Sequence, residues 1–259
     1  MRPTALIAIL LAGVISARES FAVDVVSPPI VFNSEIYNKV LECAAQATRL
    51  PNVDQDTELT AMLAEKKIEI KVRGAGIRYV DINIRRLTHA DVNVVIPSGT
   101  FFVSQNAAAQ NMVATREVSI RLNDDSWHSL VVAAACANKP KVIPKADDNF
   151  TAQRSPRQEE LRTLMPMLNC VRGGAAIEQA AVWIVTDNST FGQMGSLVST
   201  REDHLGVTQR VINRAHAAYA MKICQSSGID ITKKAIWQDR RTIATEVADT
   251  RLREWLQRR

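Results

Sequence analysis

The hydrophobic period changes from two residues to 3.6 near position 150, and this change constrains the fold more than any other feature of the chain. Before it, Ile68, Ile70 and Val72 alternate with Glu69, Lys71 and Arg73, and Val80, Ile82 and Ile84 alternate with Asp81, Asn83 and Arg85. Val92–Ile96, Thr100–Val103, Val118–Leu122 and Leu130–Ala135 continue the strand-like runs, separated by Gly74-Ala75-Gly76, Pro97-Ser98-Gly99 and Asn123-Asp124-Asp125. About six short strands divided by turn signals predict an antiparallel β-sandwich over residues 67–150. The half-polar alternation suits a sheet with one solvated face.

After the change the spacing is helical. Ser155-Pro156 offers an N-cap with proline at the first helical position, and Leu161, Leu164, Met165 and Leu168 follow on one face up to Gly173-Gly174. Ile177–Thr186, Thr208–Ser226 and about Thr242–Gln257 complete a predicted helical domain over residues 151–259. Lys139–Arg154, polar and carrying Pro140 and Pro144, reads as a linker or long loop. Residues 23–66 read as an extended lead-in followed by a helix with Ile36, Val40, Leu41 and Ala44 on one side, then a shorter helix over Gln55–Lys66. The expected class is therefore α+β, a β-sandwich followed by a helical domain.

The first 22 residues read as an export signal rather than as part of the fold. Arg2 precedes an apolar run, Ala5–Ile15, that is too short to span a bilayer. Ser20-Phe21-Ala22 supplies the small residues of a cleavage site after Ala22, and Ser16-Ala17 offers a second exit. No cysteine follows either site, so no lipid anchor is expected. The reading places the protein in the periplasm or outside the cell.

The net charge is +5 and the chain has no run of five like charges, so the basic excess is spread among acids. No nucleic-acid partner is expected. Histidines 89, 128, 204 and 216 form no metal-ligand spacing, and no metal or other cofactor is expected. The nucleophile-elbow, Ser-x-x-Lys and phosphate-loop patterns are missing, and Gly74-Ala75-Gly76 runs into Tyr79 and a strand instead of a dinucleotide-binding helix. Asp124-Asp125, Asp147-Asp148 and Glu159-Glu160 sit in turns or at a helix start, where acids serve structure.

Cys43, Cys136, Cys170 and Cys224 lie beyond the signal, and an even count in an exported chain predicts disulfides. Three pairings are open. Position along the predicted elements favours Cys170–Cys224, stapling the helical half, with Cys43–Cys136 tying the first helix to the last strand.

Gln179-Ala180-Ala181-Val182-Trp183, followed by Ile184-Val185-Thr186-Asp187, resembles the Thr-Gln-x-Ala-Ile/Val-Trp signature of bacterial surface thioester domains. In that family a cysteine at the end of the β part bonds to the motif glutamine. Cys136-Ala137-Asn138-Lys139-Pro140 stands in the matching place. The resemblance implies a Cys136–Gln179 thioester, an acyl donor to an amine on a target. Two positions depart from the pattern: Glu178 replaces the threonine, and Ala135 replaces an aromatic before the cysteine. The strand half, with Ile96–Phe102 and Gln110–Val113, is also similar to a domain of uncharacterised exported bacterial proteins.

The functional expectation is an exported binding or adhesion protein without a recognisable catalytic site. Its expected partner is a protein or glycan of the envelope or extracellular space. The alternatives are an enzyme with a site assembled at the β/helix junction and a structural subunit of an envelope assembly. A pocket of convergent acids would mark the first, and a large exposed apolar patch the second.

Overall fold

The structure, a computed structural model, describes residues 34–46, 57–194 and 212–258. The export signal and its cleavage site fall outside these residues. So do His204, the start of the predicted Thr208 helix and Arg259.

The chain order is α1 (Ser34–Gln46), α2 (Leu59–Ala64), then strands β1 (Ile68–Gly74), β2 (Tyr79–Arg86), β3 (Val92–Ile96) and β4 (Phe101–Ser104). β5 (Asn111–Ala114), β6 (Val118–Leu122), β7 (His128–Ala137) and β8 (Asn149–Gln153) follow. The helical half is α3 (Gln158–Val171), α4 (Ala175–Thr186), α5 (Phe191–Met194), α6 (Arg214–Ser226), α7 (Arg240–Ala244) and α8 (Thr250–Gln257). The architecture is α+β, a β-rich region followed by a helical one.

The strands do not form the expected sandwich. They close into a barrel in the order β1-β2-β7-β5-β4-β8, with β3 and β6 paired beside it as a two-stranded sheet. The closing strand is β8, which pairs with β1 through Val72–Phe150 and with β4 through Phe101–Gln153. This strand lies in the segment that reads as a linker: Asn149–Gln153 does alternate, with Phe150 buried, but over only five residues beside a stretch carrying Pro140 and Pro144. Pairing with a neighbour on each side holds this short strand in place and closes the sheet.

Alternation sets the inside of the barrel. Val80, Ile82, Ile84, Val132 and Met112 are fully buried. Arg85, outside, bonds Glu69 across the β1–β2 pair at 2.8 Å. Trp127 lies flat against the same face, with Lys71 Nζ 4.4 Å and Arg85 Cζ 4.8 Å from its ring centroid. β5 is buried at every residue, so it carries no alternation and has no sequence signature as a strand.

Barrel and helices share one continuous core. α4 lies at its centre, packed against β7 on one side and α6 on the other. Eight of its residues, Ile177 and Gln179 to Val185, are buried. A helix apolar nearly all round belongs in the interior. Ala217, Ala218 and Ala220 of α6 are fully buried, and residues this small let two helices approach closely.

α3 starts later than the Ser155 N-cap predicts, at Gln158 with Arg157 in the N-cap position and no side-chain cap bond, and Ser155 instead ties the turn that precedes it. Ser155 Oγ accepts from Arg157 N–H at 3.1 Å, and the Gln158 side chain returns to Ser155 N–H at 3.0 Å. The last predicted helix is instead two, α7 and α8. The break comes where Asp249 caps α8 by accepting from Leu252 N–H at 2.9 Å. In α1 the inward residues include Val40 and Cys43, whereas Leu41 is 45% exposed, against the expected face. Among the described residues no helix is long and apolar enough to cross a membrane.

The candidate Cys136–Gln179 junction

β7 is ten residues long and uses its two halves differently. Its first half pairs with β2, and its second half pairs with β5 on the opposite edge, with Met112 opposite Cys136. The β2 edge is therefore left without a strand from Cys136 onward. The last contact from β2's side is Ala134 N–H donating to Arg78 O at 2.7 Å. Unpaired main-chain groups buried at this point would be costly.

α4 supplies the missing partners from its side chains. Cys136 N–H donates to Gln179 Oε1 at 2.9 Å, and Gln179 Nε2 donates back to Cys136 O at 2.7 Å. One rung further, Asp187 at the C-cap of α4 accepts from Asn138 N–H at 3.2 Å and from Lys139 N–H at 2.9 Å. The carboxamide thus copies a β-ladder rung, and the carboxylate terminates the edge. Asn138 has φ +61°, the left-handed turn that carries the chain out of β7. Gln110 holds the loop beyond, its Nε2 donating to Lys141 O at 2.8 Å and its N–H to Val142 O at 2.9 Å.

The Cys136 side chain points into the barrel and is fully buried. Its Sγ lies 3.5 Å from Met112 Sδ and 3.8 Å from Ile77 O, in the turn between β1 and β2. Burial pushes its pKa up to about 12, so the group is a thiol at neutral pH. Trp183, one turn after Gln179, is 1% exposed. Lys139 Nζ lies 5.8 Å from its ring centroid.

The disulfide is neither of those expected. Cys43 of α1 bonds Cys170 of α3, with Cα atoms 5.8 Å apart. The reason is packing: α1 lies against α3, whereas Cys136 belongs to the barrel interior and Cys224 to the buried side of α6. Cys224 Sγ faces Ala181 O at 4.0 Å. Cys136 and Cys224 are free and buried. Of the four candidate cysteines, then, Cys43 and Cys170 form the disulfide and Cys136 and Cys224 stay outside it.

The other candidate groups serve local structure. Asp124 accepts from His128 Nε2 at 3.0 Å and from Ser126 in an exposed turn. Asp148 accepts from Lys145 N–H and Asn106 Nδ2, each at 2.7 Å. Glu159 pairs with Arg162, and Glu160 with Lys234 at 2.6 Å. His216 caps α6 together with Asn213. Trp237 and Trp255 pack on each other, 5.6 Å between centroids. Among the described residues no group of three or more His, Cys, Asp or Glu is placed to hold a metal ion.

Arg116 carries no sequence signal as a site residue, yet it reaches the junction from the β5–β6 connection. Its guanidinium pairs with Glu178 and donates to Asn169 Oδ1 at 2.8 Å and to Thr115 O at 3.0 Å. Apart from Thr115 its partners lie 53 and 62 residues away, so only the fold assembles the cluster.

Comparison with protein-family models, with curated proteins and with solved structures finds no match to this chain.

Proposed function

We propose that the chain is an exported binding protein of the adhesion type whose contact with its target runs through an internal thioester between Cys136 Sγ and Gln179 Cδ. The observation that carries this reading is the seating of the Gln179 carboxamide on the main chain of Cys136, a cysteine left out of the disulfide. The resemblance of both motifs and the order of the β and helical parts support it.

The chemistry balances with the groups present. The Sγ–Cδ bond forms and the Cδ–Nε2 bond breaks. The thiol proton leaves with the amide nitrogen as ammonia. Cys136 N–H, 2.9 Å from Oε1, donates to the oxygen that gains negative charge at the tetrahedral stage. An amine on a target protein or glycan then attacks Cδ, the C–S bond breaks, and a proton returns to sulfur. The product is an amide joining this chain to its partner. Burial of the sulfur shields such a bond from water until a target engages.

One observation favours a second reading. Both atoms of the carboxamide and both main-chain groups of Cys136 are satisfied, and the thiol is raised to about 12. On this reading Gln179 is a strand-edge cap, and the protein binds its target without a covalent bond.

Intact mass of the protein separates the two. A thioester removes about 17 Da as ammonia and takes up methylamine with a gain of about 31 Da. A mass that shows the disulfide alone, unchanged by methylamine, ends the covalent reading and leaves the binding one.

A further inference from the structure

We infer that Glu178, held by Arg116, is the positioning residue that sets the Gln179 carboxamide against Cys136. The inference rests on the thioester reading for its chemical consequence, but the positioning itself is read independently of it.

The first turn of α4 lacks the usual anchor. Its N-cap is Gly174, at φ +92°, which makes no side-chain cap bond. A glycine N-cap gives no side-chain bond to the opening N–H groups, so the exact rotation of the first turn is left to packing and to any polar anchor nearby. Gln179 lies near that end, and its two bonds to Cys136 demand a fixed rotation and a fixed height. Glu178 is its immediate neighbour, about 100° further round the helix by its 3.6-residue turn. It supplies a second, non-collinear anchor through its ion pair with Arg116.

Arg116 is itself tied to the strand that Gln179 must meet. Its Nη1 donates to Thr115 O at 3.0 Å, and Thr115 N–H donates to Ala133 O of β7 at 2.8 Å. Its bond to Asn169 Oδ1 at 2.8 Å adds α3 to the same cluster. A closed ring results: β7 to Thr115, Thr115 to Arg116, Arg116 to Glu178, and Gln179 back to β7 at Cys136. The Glu178 side chain is 14% exposed, so the pair is shielded from most of the solvent that weakens surface ion pairs. Glu178 stands where the thioester signature has threonine. In this chain an acid paired across the junction takes over the placing of the glutamine.

The test is Glu178→Ala, Arg116→Ala and the charge swap Arg116→Glu/Glu178→Arg, read by two measurements. The first is amide exchange at Cys136, compared with Ala134, whose N–H goes to Arg78 instead. Each single variant is expected to speed Cys136 exchange about tenfold, the ratio for loss of one net hydrogen bond, and to leave Ala134 unchanged. The swap is expected to restore Cys136. The second is methylamine uptake by intact mass, expected to fall about tenfold in the single variants and recover in the swap. Equal acceleration at Cys136 and Ala134, or none at either, overturns the positioning role. If the wild type shows no ammonia loss, the thioester reading falls, while exchange at Cys136 still decides whether Glu178 places Gln179.

Discussion

Gln179 and Cys136 form a reciprocal pair, 2.9 Å from N–H to Oε1 and 2.7 Å from Nε2 to the carbonyl, in which a side chain stands in for a β-strand. Gln179→Ala leaves a buried donor and a buried acceptor unpaired. Each costs about 1–3 kcal/mol, so urea unfolding is expected to show a loss of at least that size. Gln179→Glu keeps the acceptor but sets a carboxylate against the Cys136 carbonyl. Its folded pKa is then raised above the unfolded value of about 4.3, so its deficit is largest at pH 7 and shrinks as pH falls and the acid protonates. A Glu variant equally destabilised at pH 7 and pH 4.5 contradicts the pairing.

The Cys43–Cys170 bond closes 127 residues of sequence and joins α1 to α3. Its removal by Cys43→Ala/Cys170→Ala is expected to cost about 2–4 kcal/mol through the freed unfolded chain. Chemical unfolding of the wild type with and without reductant checks the same value. If reductant leaves the midpoint unmoved, the bond does not tie these helices.

Burial raises the Cys136 and Cys224 thiols to about 12, from an ordinary value of 9.0. Labelling by a thiol reagent at pH 8 is therefore expected to be negligible until denaturant is added. The raised pKa also ties stability to pH. Each thiol favours the native state fully below the unfolded value of 9.0, and that contribution is lost as pH rises towards 12. Unfolding midpoints should thus fall above about pH 9, less steeply in Cys224→Ala. A thioester at Cys136 removes that group from the titration, so Cys224→Ala would then abolish the thiol contribution to the slope.

Asp148 has the opposite sign. The Lys145 N–H bond, then the Asn106 bond, hold its carboxyl below the ordinary value of 3.8. Its contribution is present above the unfolded pKa and is lost as pH falls through the lower folded one. Acid unfolding of Asp148→Asn, compared with wild type between pH 5 and pH 2, is expected to lack this part of the acid slope. An unchanged slope would show that the turn from Lys145 to Asp148 does not depend on the charge.

Element types are legible in the amino-acid sequence wherever a periodic pattern faces one core. Ile68–Val72 and Val80–Ile84 alternate because one face of the sheet is wet, and Leu161–Leu168 recur at helical spacing because one stripe of α3 is buried. The pairing of Cys136 with Gln179 is implied only by the resemblance to the thioester signature, carried by short motifs around each residue. Tertiary structure decided the rest. β5 is buried on both faces and carries no period, β8 alternates over only five residues, and pairing with their neighbours makes them strands and closes the barrel. Cys43 met Cys170 because α1 packs on α3, a relation between segments 127 residues apart that no local pattern encodes. The bond between Gln179 and Cys136 depends on β2 ending where α4 arrives. Which main-chain groups lack a partner is a property of the assembled sheet, so the hydrogen bonds of the buried Gln179 are legible only there.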